Sequence, residues 1–257
     1  MVTVTFPTGS NACVRVVLPA YNEAGSLPTL LQRISEIPVQ TCTIVVDDGS
    51  SDLTAEVARG FTGHMQVTLL RHPRNLGLGA ALLTGLRFAA GTSDSSDVVI
   101  AMDSDNTHDP ALIPDMLRKI AEGNDIIIAS RYVPGSQVFG VTLLRQVLSL
   151  GASVLMRLAF RIPGVRDYTS GYRAYAAGLL KRSFAAYGDH LIEESGFTCV
   201  VELLAKLAPL SRGLAEVPLV LHYDRKEGRS KMKILRTVWR YLKLVSSPPR
   251  SWIGKMG

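Results

Sequence analysis

Between residues 14 and 131, short runs that are largely apolar throughout alternate with segments whose apolar residues recur every three to four positions. The runs are VRVVLPA, CTIVVDD, QVTLLRH, DVVIAMD and DIIIASR. Rich in Val and Ile, they predict strands buried on both faces. The periodic segments Ser26 to Glu36, Asp52 to Arg59, Gly77 to Ala90 and Pro110 to Ala121 predict helices. Strand and helix in turn predict an α/β fold, a mostly parallel sheet covered by helices.

The pattern changes after Arg131. A turn, YVPGSQ, leads into a helical segment from Val141 to Phe160, and RIPGVRDYTSGYRAY follows, dense in turn residues, Arg and Tyr. Helices are expected at 176–186 and 196–207, then a strand LAEVPLVLHY and a last helix at 232–246 before SPPRSW. On that last helix Lys233, Arg236, Arg240 and Lys243 share one arc, and Leu235, Val238, Trp239, Leu242 and Val245 the opposite one. Such a helix can lie in a membrane interface, or dock on the core with a solvated basic face. No repeat and no long linker divides the chain, so a single domain over residues 1–257 is expected. Its 13–131 part would hold the donor and its 132–257 part would face acceptor and membrane.

Charge sharpens this picture. Residues 225–257 carry ten Lys/Arg and one acid, a net +9, so residues 1–224 sum to −3 within the total of +6. That asymmetry points to an anionic partner at the C-terminal end. No signal peptide and no uninterrupted apolar stretch of transmembrane length is visible; Val141 to Phe160 contains Arg145 and Arg157. Cys13, Cys42 and Cys199 read as reduced core cysteines, and the five histidines form no i, i+4 ligand pair.

In parallel sheets ligands bind beyond the carboxyl ends of the strands. Polar residues cluster there: Tyr21, Asn22 and Glu23 after the first strand, Asp47 and Asp48 after the second, Asp103 and Asp105 after the fourth, Arg131 after the fifth. Tyr21 offers a flat surface for a base; Glu23 and the Asp47/Asp48 pair can accept hydrogen bonds from a base or ribose. Gly77 and Gly79 mark a close backbone approach to a ligand or another segment.

VVIAMDSDNTHDP concentrates the question, because its acids need a positive partner. As an EF-hand it fails: His108 stands where the sharp-turn Gly belongs and Pro114 where the bidentate Glu belongs. As D-x-D-x-T after a strand, Asp103, Asp105 and Thr107 match a haloacid dehalogenase-type phosphatase, although Arg131 and no acid pair follows the next strand. As a pair of carboxylates at i and i+2, Asp103 and Asp105 can hold Mg2+ or Mn2+ bridging a diphosphate. Asp109, before Pro110, reads as a helix cap.

In this order, PAYNE, DDGSSDLT, NLGLGAALLTG, MDSDNTHDP, SRY, DYTSGYRAY and EVPLVLHYDRKEGRSK resemble inverting glycosyltransferases of the GT-A fold, most of all the dolichol- or polyprenyl-phosphate mannose synthases. The resemblance spans about residues 13–245. It implies a metal-dependent transfer of a hexose, first of all mannose from GDP-mannose, to a polyprenyl phosphate. It also implies that Pro19, Tyr21, Glu23, Val46, Asp48 and Ser104 hold the nucleotide, and that Asp103, Asp105 and Thr107 hold Mg2+ or Mn2+. Arg225 and Lys231 would face donor phosphates, with Arg131, Arg145 and Ser170 at the acceptor phosphate. Thr107 and Asn106 depart from the pattern, which has Gln and an apolar residue there.

A phosphate monoester is ionised at neutral pH and needs positioning, not a general base. The implied partners are a nucleotide sugar, a polyprenyl phosphate and the cytoplasmic membrane face, bound peripherally, with a separate anchoring subunit as a further option and no nucleic acid. Three alternatives stay open: UDP-glucose or another donor, or a non-lipid acceptor; the phosphatase; and a catalytically silent protein that binds nucleotide sugar.

Overall fold

The computed structural model describes residues 13–61, 65–225 and 240–241. The alternation is present as expected: β1 (Val14–Ala20), α1 (Leu27–Ser35), β2 (Thr41–Asp47), α2 (Thr54–Gly60), β3 (Gln66–Arg71), α3 (Leu78–Thr92), β4 (Val98–Ala101), α4 (Ile113–Ala121) and β5 (Ile126–Ser130). Every residue of β4 and β5 is buried, as the continuous apolar runs require. Each such Ile or Val contributes about 1.5–3 kcal/mol of transfer free energy.

The second half departs from the expected plan. Gln137–Phe139 forms a short strand, β6, ahead of α5 (Leu143–Phe160). The turn-rich segment yields a buried strand, β7 (Arg173–Ala176), running into α6 (Ala177–Tyr187) and then α7 (Cys199–Leu207). LAEVPLVLHY is two strands, β8 (Leu214–Pro218) and β9 (Val220–His222). The break falls at Leu219, whose N–H still donates to the Ser130 carbonyl of β5 while its carbonyl accepts from the Gln137 N–H; β8 pairs with β5, and β9 crosses to β6. The helix expected at 232–246 lies outside the described residues except Arg240 and Tyr241, which are helical.

The seven-stranded sheet has the order β3-β2-β1-β4-β7-β5-β8. All its strands share one direction except β7, which is antiparallel to both β4 and β5. The start of β7 therefore lies on the same rim as the carboxyl ends of its neighbours, so Ser170–Arg173 enter the rim from the opposite sense. Helices α3, α5, α6 and α7 and Tyr241 pack on one face of the sheet, and α1, α2 and α4 on the other. Gly85 lets α3 lie against the sheet: a Cβ there would stand 2.4 Å from a Val17 methyl. The three cysteines are free, but Cys13 and Cys42, distant in sequence, meet across β1 and β2 with Sγ atoms 3.0 Å apart. Among the described residues, no helix is long and apolar enough to cross a membrane.

Candidate active site

Residues 103–109 follow β4, and neighbouring elements hold this turn on every side. Ser104 Oγ donates to the Pro19 carbonyl of β1 at 2.7 Å. Asn106 adopts φ +61°, a left-handed conformation Asn tolerates better than an apolar residue. Its Oδ1 accepts from Arg33 Nη1 of α1 at 2.6 Å, and Arg33 Nη2 pairs with Asp109 at 2.8 Å. Asp109 caps the short 3-10 turn Pro110–Leu112 through the Ala111 N–H, as its place before Pro110 suggested. Tyr172 donates its hydroxyl to the Asp109 carbonyl, and His222 of β9 donates its N–H to the Thr107 carbonyl.

Within the turn, the Thr107 N–H and hydroxyl both donate to Asp105 Oδ1, at 3.2 and 2.6 Å. Thr107, expected as a ligand, thus meets Asp105 first and sets the direction of its carboxylate. Asp105 is buried, whereas the Asp103 side chain is 40 % exposed. The Asp103 N–H donates to His108 Nδ1 at 3.3 Å, and the His108 ring stacks on Tyr172 with centroids 5.0 Å apart. With Nδ1 as acceptor, the neutral ring carries its proton on Nε2. The hard oxygens of Asp103 and Asp105 suit Mg2+ or Mn2+. Among the described residues no group of three or more His, Cys, Asp or Glu side chains gathers for a metal, at this turn or elsewhere. A cation held here would draw its remaining ligands from phosphate and water.

On the nucleotide side, the ends of β1 and β2 are knotted together. Asn22 accepts from the Ser51 N–H, Glu23 accepts from Ser26 Oγ at 2.7 Å, and the Glu23 N–H donates to Thr54 Oγ1. Asp47 is fully buried, accepts from the Ser50 N–H and lies 3.0 Å from Arg71 Nε. The Asp48 carboxylate accepts from the Leu76 and Gly77 N–H groups at 2.9 and 2.8 Å and faces His72 Nδ1 at 2.7 Å. It therefore fastens the 72–77 loop. Gly77 and Gly79 prove to meet the chain's own 194–195 loop: a Cβ on Gly79 would stand 1.8 Å from the Glu194 carbonyl oxygen. Pro19 and Tyr21 are half-buried at the rim, while Val46 is fully buried and packs against α3 in the core.

Arg131, directly after β5, is held by a residue that sequence reading did not single out. Its Nε and Nη2 donate to Asp167 at 2.8 and 2.7 Å, its own N–H donates to the same carboxylate, Nη2 also donates to Thr169, and Nη1 donates to Ser149 of α5 at 2.7 Å. Burial alone would lower the Arg131 pKa and raise that of Asp167, but each is outweighed by its partner's charge. Asp167 stays below the usual carboxylate range and Arg131 above its ordinary value. Asp167 also accepts from the Thr169 and Ser170 N–H groups. The one available signal was Asp followed by Thr at +2 in a turn, an arrangement that caps its own backbone. Ser170 is buried, and its Oγ has no hydrogen-bond partner among the described residues. Only the main chains of Arg145 and Arg225 are described, and Lys231 lies outside the described residues.

The rim thus brings Asp103, Ser104, Asp105, Pro19 and Tyr21 together on one side of β7, and Arg131, Ser149 and Ser170 on the other. The model of the family "Glycosyl transferase family 2" matches residues 15–187. An undecaprenyl-phosphate mannosyltransferase of Micrococcus luteus is 32% identical over 85% of this chain and 87% of its own. A dolichol-phosphate mannosyltransferase of Pyrococcus furiosus is 34% identical over 90% of this chain, which spans 62% of that protein. A polyprenol monophosphomannose synthase of Mycolicibacterium smegmatis is 32% identical over 84% of this chain and 80% of its own. In fold, the chain is similar to the crystal structure of glucosyl-3-phosphoglycerate synthase from Mycobacterium tuberculosis in complex with Mn2+, UDP-glucose and phosphoglyceric acid. The TM-score is 0.64 at 21% identity, covering 96% of this chain and 81% of that one.

Proposed function

Because the chain belongs to glycosyl transferase family 2, we propose that it transfers mannose from GDP-mannose to a polyprenyl phosphate, inverting the anomeric carbon. The observation that carries this reading is the division of the rim by β7. Carboxylates on one side suit a cation and diphosphate; on the other, an arginine and serines suit a phosphate monoester. Relatives named for mannosyl transfer to polyprenyl phosphates, at 32–34% identity over most of the chain, support the same donor sugar and acceptor.

Asp103 and Asp105 would hold Mg2+ or Mn2+, with Thr107 orienting Asp105. A divalent cation bound there offsets the charge that develops on the leaving diphosphate. Pro19, Tyr21, Glu23 and Ser104 would line the nucleoside side, while Asp48 shapes that side through the loop it fastens. Arg131 and Ser170 would receive the acceptor phosphate, with Arg145, Arg225 and Lys231 as further cations toward the phosphates. Asp167 keeps the Arg131 guanidinium charged and fixed, so orienting the acceptor needs no reorganisation. The acceptor oxygen is already anionic, and the residues only have to bring it in line with the anomeric carbon.

Helix α5 supports a lipid acceptor. Leu143, Val147, Leu150, Val154 and Leu158 follow one helical stripe and are 48–76% exposed. The helix carries Arg145 and Arg157 but no Asp or Glu. We place this stripe at the surface of an anionic membrane, as a peripheral contact. The test is a donor panel: labelled GDP-mannose and UDP-glucose, each with polyprenyl phosphate and Mg2+ or Mn2+. Mannosyl lipid from GDP-mannose is expected. Glucosyl lipid alone would reassign the donor, and no lipid product with either would refute the reading.

A further inference from the structure

Arg173, which opens β7, is fully buried. Its Nη1 donates to the Val200 carbonyl at 2.6 Å and its Nη2 to the Tyr168 carbonyl at 2.8 Å. Its Nε has no hydrogen-bond partner, and no carboxylate pairs with it among the described residues. The buried Lys206 and the half-buried Arg131 differ. Lys206 is paired with Glu202 and Glu193, and Arg131 with Asp167. A buried guanidinium served by neutral carbonyls and the Tyr175 side chain, with no carboxylate against it, is costly, because its charge is desolvated without a paired counter-charge.

The position of this charge in the sheet suggests what offsets it. Arg173 stands opposite Ala101 of β4 and opposite Ile128 of β5. Two residues beyond Ala101 lies Asp103; three beyond Ile128 lies Arg131. Arg173 is thus centred beneath both halves of the rim. Gly171, two residues before it, would bring a Cβ within 3.6 Å of Asp103 Oδ1. The Cys199 thiol, raised in pKa first by burial and next by the Glu202 charge, also feels the Arg173 and Asp103 charges, so these two lie within range of one buried group. Ser170 Oγ, in the same SGYR stretch, is a second buried polar atom lacking a partner.

We infer that Arg173 is a positioning residue whose buried, uncompensated charge attracts the substrate phosphates through the low-dielectric floor of the site, without touching them. Its counter-ion is the substrate itself, so the substrate-free protein bears the cost of the isolated charge and the bound state recovers it. This rests on the reading that the site takes a nucleoside diphosphate.

Calorimetric titration of the full chain with GDP and Mn2+, and in parallel with UDP and Mn2+, tests it, together with the melting midpoint of the nucleotide-free protein. Arg173→Gln should melt no lower than the wild type yet bind nucleotide about tenfold more weakly, a modest fraction of one charge acting at short range. Arg173→Lys, which keeps the charge but not the fork, should recover most of that loss. A second variant, Cys199→Asp, supplies a carboxylate of similar volume beside Arg173, and should fold and bind nucleotide as weakly as Arg173→Gln. Unchanged affinity in Arg173→Gln would overturn the inference. So would an equal loss in the Gln and Lys variants with a lowered midpoint, or failure of both Arg173→Gln and Cys199→Asp to fold, since each would make Arg173 a structural strut. A wild-type chain that binds neither nucleotide would instead overturn the reading of the site, and this inference with it.

Discussion

Arg131 and Asp167 meet in a two-pronged pair, Nε and Nη2 each donating to the carboxylate at 2.8 and 2.7 Å, with Asp167 fully buried. Removing one partner of such a pair strands the other's charge and costs about 3–5 kcal/mol. Asp167→Asn is therefore expected to lower stability by that order and to abolish transfer, because Arg131 loses both charge partner and orientation. Denaturant unfolding and a lipid-product assay check the two effects separately.

The same pair sets an acid limit. The folded Asp167 pKa is depressed by Arg131, against the opposing effect of burial. Its contribution is therefore complete above the unfolded Asp value of about 3.9 and is lost as pH falls through the lower folded value. Melting midpoints measured from pH 3 to pH 7 should fall toward the acid end in the wild type. Asp167→Asn should lack part of that acid-side slope; identical slopes would deny the pair its role.

Thr107 Oγ1 donates to Asp105 at 2.6 Å. If its task is to orient that carboxylate, Thr107→Val should weaken metal-dependent activity, with an apparent Mn2+ affinity lower by about 10–100-fold. Thr107→Ser should stay near wild type. The Mn2+ dependence of initial rates separates the two.

Asp105→Ala should remove metal-dependent transfer while the fold is retained, since Thr107, which donates to this carboxylate, lies within the same turn. Turnover equal to wild type would exclude Asp105 from the cation site. Circular dichroism confirms that the protein tested is folded.

Val147→Glu with Val154→Glu places two anions on the exposed stripe of α5. Exposed positions tolerate such changes within about 0.5 kcal/mol each. Flotation with vesicles containing anionic lipid should fall several-fold, while the melting midpoint stays close to wild type. Undiminished flotation would remove α5 from the membrane contact.

Strand and helix alternation through Arg131, the acids at the ends of β1, β2 and β4, and the cap at Asp109 were all legible in the chain, because each is set by local pattern and by the polar stop at a strand end. Asn106 looked like a departure; its left-handed backbone and its bond to Arg33 give the departure a reason. The acceptor half was far less legible. β7 hides in a turn-rich stretch because it is only four residues long and takes its burial from strands on both sides.

What the sequence by itself determined is the class of fold and the residue types that arrive at one rim, since periodicity and strand-end polarity act over a few residues. What only the tertiary structure decided is which groups answer each other there. Asp167 reaches Arg131 across 36 positions, Cys13 meets Cys42 across 29, and Arg173 lies between two strand ends with no carboxylate of its own among the described residues. Those relationships depend on the antiparallel insertion of β7 into an otherwise parallel sheet, and no local pattern encodes a neighbour so distant along the chain.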